Sequence, residues 1–359
     1  MKKFLSLLLA LGMMASLAAC GGNTSSTPSA STASTPATAS QADSNSAPTA
    51  PTDEVFELKF AHHQQPDSPA GLGAQRLADR LNEKSNGRLK VTVYPAEQLG
   101  TEKSVFEQLN EGVVDMSTLG FGIIGTMSPS ALAMEMGYMF QDYNHLSAFL
   151  DSDVFTTEIV NPAIEKAGVR IGGAYYNGVR HTTTSSKPVT DPASMAGVKL
   201  RVPSSDMLLA TFEAMGASPT PMAFSEVYMA LQNNTIDGQE NPIPTIMSMK
   251  FYEVQKYLCL TGHMVQAATF VVSEKSFQKL PPDLQELMLA EMKDEARVTS
   301  EDVQAKETEQ LGELQELGME VVETDKQAFI DTMPPVIERF EQQWGVGLYD
   351  KIQATNPNK

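Results

Sequence analysis

The chain has 359 residues, with 44 Asp and Glu against 26 Lys and Arg, and its formal net charge at pH 7 is −18. So acidic a protein is unsuited to binding nucleic acid, and it is a poor match for anionic lipid head groups. With two cysteines in the whole chain, no disulfide framework is expected.

The first nineteen residues have the pattern of an export signal. Lys2 and Lys3 precede an apolar run over 4–17, which is too short to span a membrane but suits a signal peptide. The small residues before Cys20 resemble the lipobox of bacterial lipoproteins, in which the cysteine carries acyl chains such as palmitate and becomes the new N-terminus. We therefore predict a lipoprotein signal peptide over 1–19. An ordinary secretory signal with a coincidental cysteine is the alternative.

Residues 20–52 are predicted to be a disordered, lipid-anchored linker. They are almost entirely Ser, Thr, Ala, Pro, Gly and Asn, so no apolar face offsets the entropy of ordering them. A flexible chain of this length reaches on the order of 30 Å. With Cys20 bound to the lipid bilayer, Cys259 has no disulfide partner and is expected to be a small core residue.

The remaining 300 or so residues suffice for two lobes. Alternating apolar residues predict strands beginning at Phe56 and at Leu89, with a helix between them that Gly87 closes. A helix over 101–111 is expected to stop at Gly112, and a strand over 113–119 follows.

Further along, Asn144 opens a predicted helix that ends near Gly168, and a strand over 169–175 follows. Such alternation indicates an α/β fold of mainly parallel sheets with covering helices. Pro282 then begins a helical pattern that runs to about Leu317. At 1.5 Å per residue this helix is roughly 50 Å long, so it is expected to span both lobes.

The motifs of common hydrolases, kinases, zinc enzymes and thiol oxidoreductases are missing from the sequence. His62 and His63 are adjacent, and neighbouring residues on a strand point to opposite faces, so the pair cannot chelate a metal there. We therefore predict no catalytic residues, no bound metal and no cofactor.

One glycine pattern imitates a dinucleotide-binding fingerprint. Gly120, Gly122 and Gly125 have the required spacing and follow a predicted strand. A dinucleotide loop must open directly into a helix and needs an acidic residue about 20 positions later. The next predicted helix begins only at Pro129, so we interpret 120–125 as a flexible loop at the carboxyl end of a strand, where α/β sheets bind ligands.

Four residues form a candidate carboxylate site. Arg201 lies on a predicted strand and offers a planar guanidinium that matches a carboxylate. Arg180 begins a neighbouring predicted strand, Asn241 lies in a predicted turn, and Phe224 precedes a predicted helix and supplies an apolar wall. The alternative is two surface arginines in salt bridges and an asparagine that caps a helix.

Several longer stretches resemble the solute-binding proteins of TRAP (tripartite ATP-independent periplasmic) transporters, most closely those for sialic acid and other organic acids. The matching stretches are Tyr-Pro-Ala-Glu-Gln-Leu-Gly (94–100), Tyr-Asn-Gly-Val-Arg (176–180), Lys-Leu-Arg-Val-Pro (199–203), 216–232, Asp-Gly-Gln-Glu-Asn-Pro (237–242) and 250–258. The resemblance covers nearly all of 55–355.

The resemblance implies a two-lobed periplasmic-binding-protein-like fold with crossing hinge strands and one long bridging helix. The lobes would comprise 53–178 with 267–306, and 179–266 with 307–359. The family's carboxylate-binding arginine falls on Arg201, its second arginine on Arg180, its asparagine on Asn241 and its stacking phenylalanine on Phe224. Ligand-facing polar residues fall on His63 and His263.

The implied function is the capture of a small organic anion and its delivery to membrane TRAP subunits from outside the cytoplasm. The sialic-acid binders place a glutamate where this chain has Gly120. The ligand range therefore includes uronates, keto acids and dicarboxylates besides sialic-acid-like molecules. A sensory protein of the same fold that feeds a receptor is one alternative, and an exported enzyme acting on organic acids is another.

Overall fold

Two long strands, β4 (Val169–Thr184) and β8 (Tyr257–Ser273), run antiparallel through the middle of the fold. The computed structural model describes residues 54–359. The signal peptide, Cys20 and the linker to residue 52 lie outside these described residues, so their predictions remain predictions.

All nine strands of the described region belong to one sheet. Its order is β2-β1-β3-β8-β4-β7-β5-β6, and β9 pairs with β8. The other strands are β1 (Phe56–Ala61), β2 (Leu89–Tyr94), β3 (Met116–Gly120), β5 (Lys199–Val202), β6 (Ser218–Pro221), β7 (Gly238–Pro242) and β9 (Glu320–Val322).

The sheet order defines two lobes. Strands β1 to β3 form a parallel group on one side of the β8–β4 pair, and β5 to β7 form a second parallel group on the other side. The pairings that involve β4 with β7 or β8, and β3 with β8, are antiparallel. The predicted two-lobed α/β fold with crossing strands is confirmed, and its sheet is parallel within each lobe.

Helices cover the sheet and connect its strands. They are α1 (Pro69–Lys84), α2 (Glu102–Glu111), α3 (Phe121–Gly125), α4 (Tyr143–Leu150), α5 (Asp153–Phe155), α6 (Asn161–Ala167), α7 (Pro192–Met195), α8 (Asp206–Ala214), α9 (Val227–Gln232), α10 (Ile243–Ser248), α11 (Glu274–Phe277), α12 (Pro282–Glu316), α13 (Lys326–Ile330), α14 (Pro334–Trp344) and α15 (Leu348–Gln353). Short 3₁₀ helices cover Pro129–Glu135, Phe224–Glu226 and Phe251–Glu253, and a π-helical turn covers Thr156–Val160. Among the described helices, none is both long and apolar enough to cross a bilayer.

Helix α2 shows how local sequence fixes an element that borders the site. Thr101 caps its N-terminus by accepting a hydrogen bond from the Ser104 N–H, and Gly112 ends it in the left-handed conformation at φ 72°. Val105, Phe106 and Leu109 form its buried face. The predicted bounds of this helix are confirmed.

Helix α12 bridges the two lobes, as predicted. Near its start, Leu284 and Met292 belong to the apolar core that also contains Phe60 and Leu77 of the first lobe. Near its end, Leu314 belongs to a different core, which lies in the second lobe. One helix of 35 residues therefore ties together two separately packed cores.

Three predicted elements were wrong. The strand over 169–175 continues to Thr184, because register shifts near Tyr176 and Arg180, with Gly178 at φ 110°, let it bend instead of ending. The helix from Asn144 to Gly168 is broken into α4, α5, a π turn and α6, with Ser152 capping α5. Asn241 lies in β7 instead of a turn, because 238–242 pairs with both β4 and β5.

Candidate functional site

The candidate site is a cavity where the two lobes meet the crossing strands. On the first lobe, His63 follows the carboxyl end of β1 and Gly120 ends β3. On the second lobe, Pro203 follows β5 and Asn241 lies near the end of β7. Parallel strands present ligand sites at their carboxyl ends, so each lobe contributes the edge expected to bind.

Five of the six predicted ligand residues line this cavity. They are His63, Arg180, Arg201, Phe224 and Asn241. The structure places the sixth, His263, behind the wall. Gly120 also lines the cavity; the sequence singled it out as the start of the 120–125 loop and as the position of the missing glutamate. The lining residues that were not predicted from the sequence are Gln64, Glu102, Thr118, Leu119, Glu135, Tyr175, Asn177, Pro203, Gln266 and Ala268.

Arg201 is a buried cation without a carboxylate partner. It is 3 % exposed, and its Nε and Nη2 both donate to the carbonyl oxygen of Met222, at 3.1 and 2.8 Å. Among the described residues, no Asp or Glu forms a salt bridge with it. Burial lowers the pKa of Arg201 to about 10, and the nearby Glu240 opposes this effect. The guanidinium is therefore charged at pH 7 and available to an anion.

Arg180 is equally buried, but an internal carboxylate neutralises it. Its Nη2 donates to Glu240 Oε1 at 2.7 Å, and its Nε donates to the other oxygen of the same carboxylate. Nη1 donates to Gln266 Oε1 at 2.8 Å, and Nη2 also approaches Asn241 Oδ1 at 3.2 Å. Nη2 donates as well to the backbone carbonyl oxygen of Glu240, at 2.7 Å. Five acceptor atoms thus fix the guanidinium in the cavity wall.

His263 completes this cluster from behind. Its ring is fully buried, with Nε2 2.9 Å from Glu240 Oε2 and Nδ1 2.9 Å from Thr261 Oγ1. Because a carboxylate only accepts, the ring proton belongs on Nε2 and the threonine hydroxyl donates to Nδ1. His263 is not among the residues that line the cavity, so the predicted ligand contact is corrected to a hydrogen bond that supports Glu240.

The electrostatics of the cluster follow from these contacts. Burial by itself would raise the pKa of Glu240, but the charge of Arg180 and the hydrogen bonds from Arg180 and His263 outweigh it and hold the pKa at about 2. Burial lowers the pKa of His263, so its ring is neutral. The cluster as a whole carries one positive and one negative charge.

Aromatic side chains form the apolar part of the wall. The Phe224 ring lies 5.8 Å from the Arg201 guanidinium carbon and meets the His63 ring edge to face at 5.5 Å. Phe251 supports Phe224 from behind at 6.5 Å. An apolar wall beside Arg201 excludes water and strengthens any ion pair formed there.

His63 and its neighbour His62 are both neutral in this setting. Burial lowers the pKa of each to about 4. His63 Nε2 lies 3.0 Å from Gln64 Nε2, whereas both ring nitrogens of His62 are buried without a hydrogen-bond partner. Among residues 54–359 there is no cluster of His, Cys, Asp and Glu able to hold a metal ion.

Two glutamates form an acidic wall around Gly120. Glu102 Oε1 accepts a hydrogen bond from the Gly120 N–H at 2.7 Å. A Cβ at position 120 would lie 3.4 Å from this oxygen and 3.3 Å from Glu135 Oε1, so both carboxylates border the same small space. Burial raises the pKa of Glu102, and burial with the neighbouring charge of Glu102 raises that of Glu135.

The glycine pattern at 120–125 has a packing explanation. The flexible loop expected there is wrong, because helix α3 begins directly at Phe121. A Cβ at Gly122 would lie 2.2 Å from Glu135 Oε2, and one at Gly125 would lie 2.5 Å from Leu132 Cδ2. These glycines therefore admit the 3₁₀ helix Pro129–Glu135 against α3, and the same close approach brings Glu135 to the cavity.

One of the lining residues that were not predicted, Glu102, has a recognisable signal in the sequence. Glu102 begins the helix after β2, and a residue just beyond a parallel strand is a candidate for any α/β binding edge. Glu135 had none, since 14 residues of compact helical chain separate it from the end of β3. Only the packing of its helix against α3 carries it to the site.

Comparison with known proteins agrees with this architecture. The family model described as "Bacterial extracellular solute-binding protein, family 7" (DctP) matches residues 60–343. The sialic acid-binding periplasmic protein SiaP of Vibrio cholerae is 37 % identical over 281 residues, which cover 78 % of this chain and 87 % of that protein.

Solved structures show the same fold. A TRAP periplasmic solute-binding protein from Polaromonas sp. JS666, bound to D-erythronate, has a TM-score of 0.80 and 30 % identity, and covers 83 % of this chain and 98 % of its own. Another, from Sulfurospirillum deleyianum with bound succinate, has a TM-score of 0.79 and 29 % identity, and covers 84 % and 100 %. The chain therefore belongs to family 7 of the bacterial extracellular solute-binding proteins, the solute-binding proteins of TRAP transporters.

Proposed function

We propose that this protein captures a small organic acid through its carboxylate and delivers it to the membrane subunits of a TRAP transporter. The observation that carries the proposal is Arg201, a fully buried guanidinium without an internal carboxylate in the described residues. An unpaired buried charge is costly unless something pairs with it. A ligand carboxylate is the partner that its planar fork fits.

The remaining predicted residues support this role in different ways. Phe224 shields the ion pair, and Asn241, whose Oδ1 faces Arg180, keeps its amide group at the cavity wall. Arg180, Glu240 and His263 form a fixed neutral frame that positions the wall. Ligand affinity therefore comes mainly from Arg201, and the geometry of the pocket comes from the Arg180 cluster.

The lobe division over 53–178 with 267–306, and 179–266 with 307–359, is proposed to allow closure around the ligand. The bent segment of β4 is the proposed hinge, where Glu307 of α12 accepts hydrogen bonds from the Tyr176 hydroxyl and the Val179 N–H. A ligand that touches both lobes gains contacts only in the closed form, so it favours closure. Small-angle scattering with saturating ligand should give a smaller radius of gyration; identical profiles would indicate a rigid pocket.

We also propose how the protein is attached to the membrane. We place the protein outside the cytoplasm, attached to the bilayer through acylated Cys20 and the linker 20–52, on the strength of the lipobox-like sequence. Cys20→Ser should shift the protein from the membrane fraction to the soluble fraction. Unchanged fractionation would show that another element retains it.

A role without catalysis is consistent with the site. The described residues that line the cavity include no serine or cysteine, and Glu240 and His263 are hydrogen-bonded to each other outside this lining. A sensory role with the same ligand chemistry is the second candidate, and the pocket geometry serves both roles equally. Uptake measurements in cells with and without the protein separate them.

The direct test is a thermal-shift screen of the full-length chain against uronates, sugar acids, keto acids and dicarboxylates. A ligand at 100 times its Kd adds about 2.7 kcal/mol to the free energy of unfolding. The stabilising effect should disappear in Arg201→Lys, which keeps the charge but loses the fork. The matched control is Arg339→Lys, at an arginine with a 61 % exposed side chain, which should respond like the wild type. Stabilisation that survives in Arg201→Lys would refute the carboxylate role.

A further inference from the structure

Glu135 is the one buried glutamate of the described region that has no cationic partner. The others are Glu240, Glu291 and Glu295, and each forms a salt bridge with an arginine. Glu135 is 5 % exposed, and its Oε2 is buried without a hydrogen-bond partner. Ser205 and the Gly122 N–H lie close enough to favour the charged form of Glu135 partly, but neither is a hydrogen-bond partner of Oε2.

The carboxylate of Glu135 also lies at the candidate ligand site. It lies on the wall of the cavity that also holds Arg201, and its Oε1 borders the space above Gly120 together with Glu102. A Cβ at 120 would touch both carboxylates, at 3.3 and 3.4 Å. Two carboxylates, one from α2 and one from the 3₁₀ helix, therefore border this space.

We propose that Glu135, with Glu102, is a specificity determinant that selects polyhydroxylated monocarboxylates and rejects dicarboxylates. This inference rests on the proposed carboxylate role of Arg201. Ligand hydroxyls donate hydrogen bonds to the acidic wall, which has acceptors and no cation of its own. A second ligand carboxylate brought to this wall would find no cation there, and the charged forms of Glu102 and Glu135 would repel it.

The charges around the cavity support this selection. Arg180 is already neutralised by Glu240, so among the described residues that line the cavity Arg201 is the one cation without a salt-bridge partner. One ligand carboxylate satisfies Arg201, and a second has no cation left. Like charges brought together in a desolvated site repel each other and suppress the binding of the wrong ligand.

The neutral wall residues fit hydroxyl groups as well. Gln64, Asn177 and Gln266 offer amide donors and acceptors, and Thr118 and Tyr175 offer hydroxyls. A site built to hydrogen-bond ligand hydroxyls discriminates strongly against an analogue that lacks them, because its own polar groups are then left unpaired.

The test compares ligands of equal length by calorimetry on the full-length chain. D-erythronate and succinate both have four carbons, but erythronate has a hydroxymethyl group in place of the second carboxylate of succinate, and hydroxyls on the two carbons between. We expect the wild type to bind D-erythronate or the longer L-galactonate at least about 30-fold more tightly than succinate. Glu135→Gln keeps the side-chain volume and removes the carboxylate. It should therefore decrease the ratio of the affinity for the polyhydroxy acid to that for succinate by about tenfold. Glu111→Gln, at the exposed end of α2, is the matched control and should leave the ratio unchanged.

Several outcomes would overturn the inference. These are a wild type that prefers succinate, one that binds neither polyhydroxy acid, one that prefers the ammonium-bearing L-threonine, or an unchanged ratio in Glu135→Gln. The ligand preference of the wild type is measured without any variant, so it tests the inference even if Glu135→Gln folds poorly. If other carboxylates bind and require Arg201, only this inference fails; if no carboxylate binds, the proposed function fails with it.

Discussion

Arg180 and Arg201 are the same residue type at the same 3 % exposure in one cavity wall, yet their surroundings differ completely. Arg180 is held by both oxygens of Glu240, which His263 supports in turn. Within residues 54–359, the hydrogen bonds of the Arg201 side chain go only to the carbonyl oxygen of Met222. The comparison teaches that the internal partner, more than residue type or burial, separates a structural arginine from a ligand-binding one.

The largest expected effect is on stability, from removing the compensated arginine. Arg180→Ala leaves Glu240 buried and unpaired, which should lower the free energy of unfolding by about 3–5 kcal/mol. Urea denaturation without ligand measures this loss. Arg297→Ala, in an exposed ion pair, is the control and should cost less than about 0.5 kcal/mol. A loss as small as the control's would mean that the cluster does not stabilise the fold.

The second effect is on binding, from removing the uncompensated arginine. Arg201→Ala should weaken ligand binding by about 2–5 kcal/mol, the scale for truncating one partner of a buried charge pair. Without ligand the same variant should be at least as stable as the wild type, since it removes an unpaired buried charge. Calorimetry gives the affinity and urea denaturation the stability. If Arg201→Ala instead destabilised the free protein as Arg180→Ala does, the contrast between the two arginines would be lost.

The smallest expected effect is on the pH dependence of stability. Two buried histidines, like the two arginines, differ in whether they have an internal partner. His263 has Glu240 as its partner, whereas both ring nitrogens of His62 are buried and unpartnered. Burial lowers the pKa of His62 to about 4, below the ordinary histidine value of 6.5. The unfolded chain therefore takes up the proton first, and stability present above pH 6.5 is lost as the pH falls towards 4.

His62→Phe should reduce the slope with which the free energy of unfolding decreases at falling pH, by at most about 1.4 kcal/mol per pH unit. Thermal unfolding between pH 7 and 4 measures it. His63 and His181, whose pKa values burial lowers to about 4 and about 3, contribute in the same direction, so part of the loss should remain. An unchanged pH profile would show that His62 does not hold a neutral ring in the folded protein.

Local patterns in the sequence were sufficient for elements whose signals are short-range. The capped helix α2, its stop at Gly112 and the start of α12 at Pro282 all agree with the predicted bounds. The predicted strand over 169–175 was shorter than β4. The local sequence favours an end at the bend, but β4 continues beyond it because it pairs with β7 and β8. Pairing between distant segments overrides such local signals.

By itself the sequence determined the fold class, the family and five residues of the cavity wall, because apolar periodicity and long matching stretches are properties of the chain. Only the tertiary structure decided what those residues do. Whether Arg180 or Arg201 is free depends on where Glu240 lies, and the entry of Glu135 into the cavity depends on glycine-lined packing between two helices. Charge compensation in a low-dielectric interior acts over a few ångströms in space, and spacing along the chain does not encode that distance.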